Sequence, residues 1–304
     1  MARTARKRLG AAALGWMAWR LFGPELPPRF HGAQERPLRL AGRTVVVGQQ
    51  EFFVREAGPQ DGPPLILLHG WVYDSLATWH RVLPLLTDGH RVTAVDARNH
   101  GKSDRIRGGF EIETLADEVA AVFDALGVGR VPVVGYSMGG MVAQALAHRH
   151  PGRVEKLVLG ATAAYPISRR RMLVWAGFLL GRALSRFTGL ELRRAVYSYL
   201  LRSGAVDRRH GRWLWDVLTD RDSNLYYEGG FAILRFDSRK WVGGLEVPAL
   251  VIVPTEDQLI RAEDQYDLAD RLPDARLVEL VGAKHEAVLT HAEDLAKAIQ
   301  EFVA

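Results

Sequence analysis

Residues 131–141 read VPVVGYSMGGM, which indicates a strand, a sharp turn and a helix in direct succession. The apolar run at 131–134 contains β-branched residues and is typical of a buried strand. Residues 138–150 are rich in good helix formers, and Pro151-Gly152 ends that run. The segment 135–139 has the form Gly-x-Ser-x-Gly, so we expect Ser137 at the apex of the turn with its hydroxyl raised clear of both elements.

Small residues at 135, 139 and 140 would let the strand and the helix approach each other without a Cβ clash. A helix that begins at Ser137 also points free backbone N–H groups toward the serine, which suits a developing oxyanion. The same five residues can also form a glycine-rich turn that merely carries a serine. The rest of the chain must therefore supply chemical partners for Ser137.

Composition excludes several classes of protein. The 304 residues contain no cysteine, which excludes disulfides, thiolate metal sites and cysteine nucleophiles. The net charge of +5 is unevenly distributed, since residues 161–245 hold fifteen Lys/Arg and seven Asp/Glu, whereas the bulk of the chain is acidic. We therefore expect no nucleic-acid partner. The length fits one large domain with an insertion.

Residues 1–30 form a basic and apolar N-terminal extension. Four basic residues up to Arg8 precede the mostly apolar run Leu9–Trp19, and prolines from Pro24 onward indicate a linker. Three interpretations remain open: an extension that frays or docks on the protein itself, a peripheral membrane contact, and an export signal. No small-x-small cleavage site follows the apolar run, so we expect a cytoplasmic protein, with membrane association as the alternative and export less favoured.

Apolar runs alternate with helical patterns along 31–160 and 246–304, which predicts an α/β core with a mostly parallel sheet. Helices are expected at 76–86, at 113–126 and at 292–303, the last opened by a Thr290-x-x-Glu293 capping box. The strands are expected at 43–48, 50–56, 64–68, 91–95, 131–134, 154–159, 249–253 and 275–280.

The segment 161–245 breaks this pattern, because it shows no clear strand and is rich in Arg and Trp. Its helical stretches are expected at 168–187, 190–201, 208–219 and 226–234. An insertion at this point of an open sheet lies near the carboxyl ends of the strands, so we interpret it as a helical cap over Ser137. Candidate substrate-binding residues are Trp175, Phe178, Trp213 and Trp215, although the same aromatic side chains can simply pack the core of the cap.

Asp257 and His285 are the expected partners of Ser137. Asp257 follows the strand at 249–253, and His285 lies in the loop directly after the last strand, whereas His291 falls in the expected helix cap. The histidine would take the serine proton, and the carboxylate would orient the imidazole and stabilise its cation. Glu256 is the one serious alternative to Asp257.

The loop after the strand at 64–68 reads His69-Gly70-Trp71 and is expected beside Ser137. The backbone N–H groups of Trp71 and Met138 would hold the oxyanion. His69 itself is expected to order the loop.

From about residue 40 onward the chain resembles the α/β-hydrolase fold family, and within it the esterase, enol-lactonase and cofactor-free haloperoxidase group. The resemblance rests on residues 69–71, 96–103 and 135–140 and on the order Ser137, Asp257, His285. It implies a sheet of eight strands with a helical cap after the sixth, and neither a metal nor a redox cofactor. The sequence Arg-Asn-His-Gly at 98–101 replaces the more common Arg-Gly-x-Gly of the family.

We therefore expect a serine hydrolase whose small-molecule substrate is a carboxylic ester, lactone or thioester with a largely apolar acyl group. Acyl transfer or perhydrolysis by the same triad remains an alternative, because the sequence does not reveal which nucleophile the cap admits. A ligand-sensing protein with low turnover is the alternative outside catalysis.

Overall fold

The computed structural model describes residues 27–166, 171–188, 193–220 and 222–304. One sheet of eight strands organises the chain. The strands are β1 (Arg43–Val47), β2 (Gln50–Ala57), β3 (Pro64–Leu68), β4 (Arg91–Val95), β5 (Val131–Tyr136), β6 (Val154–Gly160), β7 (Ala249–Pro254) and β8 (Ala275–Leu280). Their spatial order is β1-β2-β4-β3-β5-β6-β7-β8. Only the pairs β1–β2 and β2–β4 are antiparallel, which confirms the mostly parallel α/β sheet.

The described helices of the core cover both faces of this sheet. They are α1 (Ser75–Trp79), α2 (Leu83–Leu86), α3 (Ile112–Leu126), α4 (Met138–Arg149), α9 (Ala262–Arg271), α10 (Ala287–Thr290) and α11 (Ala292–Val303). Apolar residues of α3 and α4 pack in one cluster, and those of α1, α10 and α11 pack in another. Strands β3, β5 and β7 lie inside the sheet and are buried almost throughout, which explains their continuous apolar sequence.

The helical segment between β6 and β7 contains α5 (Arg171–Thr188), α6 (Arg193–Arg202), α7 (Gly211–Thr219) and α8 (Ser223–Arg235), with two short 3₁₀ turns. No strand occurs in the described part of residues 161–245. The N-terminal extension 1–30 was expected to dock, to bind membranes or to direct export, and its residues 1–26 lie outside the described residues. Within the described ranges, no helix combines the length and apolarity needed to cross a bilayer.

Two local predictions were wrong. The single helix expected at 76–86 is divided into α1 and α2, because Pro84 has no N–H with which to continue the hydrogen bonds of α1 and is accommodated in the first turn of α2. The Thr290 capping box does not form. Thr290 ends the short helix α10 and donates its hydroxyl to the Glu286 carbonyl, so His291 occupies the N-cap of α11 without a side-chain bond.

Gly135 is expected to tolerate no side chain. A Cβ at this position would lie 2.3 Å from the Gly139 carbonyl oxygen and 2.6 Å from the Gly140 Cα, both of which are backbone atoms. We expect Gly135→Ala to lower the free energy of unfolding by about 1–3 kcal/mol or more, as overpacking does. Urea unfolding measures this change. Gly152→Ala is the matched control, since nothing lies within 4 Å of its added Cβ. Equal losses in both variants would contradict a steric requirement at Gly135.

His80 should make stability depend on pH. Burial lowers the pKa of its imidazole from 6.5 to about 4, and the ring packs edge-on against Trp213 at 5.2 Å. Between these pH values the unfolded chain binds the proton more readily than the folded one. The contribution of neutral His80 to the free energy of unfolding is therefore complete above pH 6.5, and it is lost as the pH falls toward 4. The slope reaches ~1.4 kcal/mol per pH unit.

The test is urea unfolding of the unmodified protein and His80→Gln between neutral pH and the lower end of this window. The difference in unfolding free energy between the two proteins should shrink as the pH falls. A difference that stays constant across the window would show that His80 does not take part.

Candidate active site

Ser137 occupies the turn between β5 and α4 in a strained backbone conformation. Its φ is 55° and its ψ is −117°, which places it among the few non-glycine residues of the described chain with positive φ. Its N–H donates to the Gly160 carbonyl at 2.8 Å. The turn is so tight that a Cβ at Gly139 would lie 2.2 Å from the Leu68 carbonyl oxygen. This geometry lifts the serine hydroxyl out of the sheet and toward the loops.

A chain of two hydrogen bonds links Ser137 to His285 and Asp257. The His285 Nε2 lies 3.0 Å from the Ser137 Oγ, and its Nδ1 lies 2.8 Å from an Asp257 carboxylate oxygen. A neutral imidazole that donates Nδ1–H to this carboxylate keeps Nε2 free to accept the serine proton. The loops that carry the three side chains follow strands β5, β7 and β8 of one sheet. The order of the strands therefore brings the side chains together.

Asp257 is held by several donors of its own loop and of α9. One carboxylate oxygen accepts the N–H groups of Leu259 at 2.8 Å and Ile260 at 3.0 Å. The other accepts a bond of 3.1 Å from the buried Gln265 amide, which also donates to the Ile260 carbonyl. The alternative acid, Glu256, is exposed. The geometry therefore favours Asp257 as the partner of His285.

Tyr136 holds the backbone of the loop that carries His285 through two hydrogen bonds of its hydroxyl. Its hydroxyl donates to the His285 carbonyl at 2.8 Å and accepts the Val288 N–H at 3.2 Å. Burial, with the charge of Asp257, raises the pKa of Tyr136 well above its ordinary value. The phenol thus stays protonated and remains a donor throughout the physiological pH range.

The loop after β3 lies directly beside the serine. A Cβ at Gly70 would be 3.5 Å from the Ser137 Cβ. His69 orders this loop, as expected, because its Nε2 accepts the Ala97 N–H at 2.9 Å and its Nδ1 lies 2.7 Å from the Gly70 carbonyl. The Nε2 of His100 lies 2.6 Å from the Trp71 carbonyl. Burial lowers the pKa of His69 and takes that of His100 to about 3, so both rings are neutral.

Two backbone N–H groups at the site are without an acceptor. Within the residues that the structure describes, neither the Trp71 nor the Met138 N–H donates a hydrogen bond. Met138 opens α4, where the helix N-terminus carries a partial positive charge. Both donors are available to a bound group that carries negative charge.

Aromatic side chains of the helical segment cover the Trp71 ring. It lies between Tyr226, stacked at 4.2 Å, and Phe178, stacked at 5.5 Å, and its indole N–H donates to the Tyr226 carbonyl. Trp175 belongs to the same group through Phe231, whose ring is 5.1 Å away. Of the four expected aromatic residues, Phe178 is thus brought to the loop next to Ser137, and Trp175 is connected to Phe178 through Phe231.

Trp213 and Trp215 lie elsewhere in the helical segment. Trp215 is buried edge-on against Tyr197 at 5.6 Å. Trp213 lines a cleft of about 280 Å³ together with residues of the loop that follows β3. Trp71 and Tyr226 also line this cleft, so it adjoins the site through the Trp71 side chain.

Sequence reasoning missed Tyr136, Gln265 and Tyr226. The Gly-x-Ser-x-Gly motif leaves position 136 unspecified, although a tyrosine at the end of a fully buried strand indicates a hydroxyl that needs a partner. Gln265 and Tyr226 carry no such signal, because their roles depend on contacts between distant elements. In the described part of the chain, no group of three or more His, Asp or Glu side chains has the arrangement to hold a metal ion.

Comparison with known proteins gives one consistent result. A sequence profile described as alpha/beta hydrolase fold matches residues 63–292. The chain is 31% identical to a non-heme chloroperoxidase of Streptomyces lividans over 264 residues, which cover 83% of this chain and 95% of that protein. It is also 31% identical to a pimeloyl-[acyl-carrier protein] methyl ester esterase of Aeromonas hydrophila, over 80% of this chain and 96% of the esterase.

Solved structures agree with these sequence matches. The enol-lactonase from Burkholderia xenovorans LB400 superimposes with a TM-score of 0.75 and 30% sequence identity. The superposition covers 86% of this chain and 99% of the enol-lactonase.

Removing the Tyr136 hydroxyl should loosen His285. Tyr136→Phe leaves a buried carbonyl and a buried N–H without their partner, so we expect the free energy of unfolding to fall by about 1–3 kcal/mol. Displacement of the imidazole should also slow the labelling of Ser137 by a fluorophosphonate, on the order of tenfold or more. Urea unfolding and timed labelling measure the two effects.

Tyr197→Phe is the control, because that tyrosine is also buried but its hydroxyl makes no hydrogen bond to a described residue. If Tyr136→Phe labels as fast as the control, Tyr136 does not position His285.

Proposed function

The chain belongs to the α/β-hydrolase fold family, and from this premise we propose that it is a serine hydrolase acting on carboxylic esters, lactones or thioesters. The acyl group is largely apolar and is carried as an acyl-enzyme on Ser137. The observation that supports this most is the continuous contact from the Ser137 hydroxyl through the His285 imidazole to the Asp257 carboxylate. Relatives named as a methyl ester esterase and an enol-lactonase support ester-type substrates.

In the proposed reaction, Ser137 Oγ attacks the acyl carbon while its proton moves to the Nε2 of His285. The C–O or C–S bond to the leaving group then breaks, and the imidazolium returns the proton to that group. Water, deprotonated by the same imidazole, attacks the acyl-enzyme and releases the acid together with free Ser137. Asp257 keeps the imidazole in one tautomer and stabilises its charged form.

The N–H groups of Trp71 and Met138 are the proposed oxyanion hole. Two observations support this assignment: both donors are free of acceptors among the described residues, and Gly70 brings the first of them beside Ser137. Donors fixed in the backbone need no reorganisation when negative charge develops on the carbonyl oxygen.

We assign the helices of 161–245 to a cap, and the aromatic group of Trp71, Trp175, Phe178 and Tyr226 to the acyl side of the substrate. These rings present mostly apolar surface next to Ser137, which suits a hydrocarbon chain better than a charged one. The cleft at Trp213 contains charged residues such as Arg36, Lys102 and Asp216, and we assign it to the leaving group. Trp215, buried against Tyr197, packs the interior of the helical segment in this scheme.

The test is labelling with a fluorophosphonate together with hydrolysis of p-nitrophenyl esters of graded chain length. We expect Ser137→Ala to abolish labelling, and both Ser137→Ala and His285→Ala to lower kcat by roughly 10³-fold or more. The preferred chain length then measures the acyl side of the pocket. A folded protein that is not labelled would refute the serine-hydrolase proposal.

The acid is tested by a matched pair of neighbouring substitutions. Asp257→Asn removes the charge that orients His285, so kcat should fall by several orders of magnitude. Glu256→Gln removes one negative charge at the adjacent, exposed position and should leave kcat nearly unchanged. The reverse ranking would assign the role to Glu256.

Perhydrolysis is the second candidate, and the similarity to a non-heme chloroperoxidase favours it. In this reaction hydrogen peroxide replaces water in the attack on the acyl-enzyme and the product is a peracid. Peracid formation from a short ester and peroxide, lost in Ser137→Ala, would support it. In acyl transfer, an alcohol would attack the same acyl-enzyme, and the new ester is the product to measure.

A further inference from the structure

Helix α5 presents a row of apolar side chains to the solvent. Met172 is 82% exposed, Leu173 70%, Leu179 58% and Leu180 60%. With a helical period of 3.6 residues, these positions fall on one side of the helix, where the exposed Ala176 joins them. We call Met172, Leu173, Leu179 and Leu180 the outer face of α5. No other helix of the described chain carries so many large apolar side chains with this exposure.

The opposite face of α5 is also apolar, but it is covered. Val174, Trp175 and Phe178 pack against a cluster formed by Tyr227, Phe231 and Leu234 of α8. A helix that is apolar on all sides is normally buried on all sides. Contiguous apolar surface of this kind on a monomer marks a contact with another molecule or with a membrane. The outer face therefore requires a cover that the described chain does not supply.

Charge distinguishes between the molecules that can cover it. Helix α5 contains three arginines and no acidic residue, and Arg169-Arg170 directly precede it in the sequence. Residues 161–245 together hold fifteen Lys/Arg and seven Asp/Glu. A second copy of the chain would bring two such basic surfaces together, and the N-terminal thirty residues, with six Lys/Arg and one acid, would also add like charge. An anionic surface is the complementary partner.

We propose that the outer face of α5 docks on an anionic lipid membrane. The apolar side chains enter the boundary between headgroups and acyl chains, and the excess of basic residues in 161–245 attracts the anionic headgroups. Both contributions are needed for selective binding. Burial of the apolar side chains supplies most of the affinity, and the basic charge selects an anionic lipid over a neutral one. The protein lies on the membrane in this arrangement and does not span it.

Docking would bring the site close to the lipid. On the inner side of the same helix, Phe178 stacks on Trp71, which follows Gly70 in the loop beside Ser137. Helix α5 and the Trp71 side chain then lie between this loop and the membrane. Given the proposed hydrolase function, this favours esters dissolved in the bilayer as substrates. The docking itself does not depend on that function.

The test is co-sedimentation of the full chain with vesicles of phosphatidylglycerol and phosphatidylcholine, and with vesicles of phosphatidylcholine alone. We expect binding to the mixed vesicles that weakens with salt. Leu173→Gln combined with Leu179→Gln should lower the partition coefficient by roughly tenfold or more, because two leucines no longer leave water. Val46→Gln combined with Leu277→Gln is the control, since these side chains are 61% and 46% exposed on strands β1 and β8.

Hydrolysis of p-nitrophenyl acetate is measured in parallel and should be the same in all three proteins, because none of the changes touches the site. Loss of vesicle binding with this hydrolysis intact supports the proposal, and so does binding by a protein that proves to hydrolyse nothing. Equal binding by both double variants, or no binding to the mixed vesicles, overturns it. A dimer in analytical ultracentrifugation that the α5 variant dissolves, without vesicle binding, would assign the outer face to a second copy instead.

Discussion

The backbone conformation of Ser137 is the constraint on which the rest of the site depends. A non-glycine residue at φ 55° persists only when its surroundings fix it. Here the surroundings are the three glycines at 135, 139 and 140, which let β5 and α4 pack within van der Waals contact of β3 and Thr162. The strain is useful because it turns the hydroxyl away from the sheet. It also directs the first turn of α4 toward the same point, which adds the dipole of the helix to the site.

The partners of Ser137 are held by groups that do not themselves touch a substrate. Tyr136, one residue before the serine, donates a hydrogen bond to the His285 carbonyl, so the backbone positions of Ser137 and His285 are linked directly. Gln265 of α9 and two backbone N–H groups saturate the Asp257 carboxylate. A carboxylate satisfied in this way cannot rotate freely, and its orientation passes through the imidazole to the serine.

Helix α5 joins the site to the outside of the molecule. Its inner face contributes Phe178 to the stack on Trp71, whereas its outer face is apolar and belongs to a segment rich in basic residues. The Trp71 ring is therefore a shared element: its backbone adjoins Ser137, and its side chain contacts both α5 and α8.

The sequence by itself determined the α/β sheet, the strand–turn–helix at Ser137 and the positions of Asp257 and His285 after their strands, because these features depend on periodicity and on local turn chemistry. It did not determine the break at Pro84 or the failure of the Thr290 cap, where neighbouring turns compete for the same backbone groups. Only the tertiary structure separated Asp257 from Glu256, identified Tyr136 and Gln265 as supports, and showed which side of α5 is uncovered. The physical reason is that each of these depends on contacts between residues far apart in the chain, whose distances no local pattern encodes.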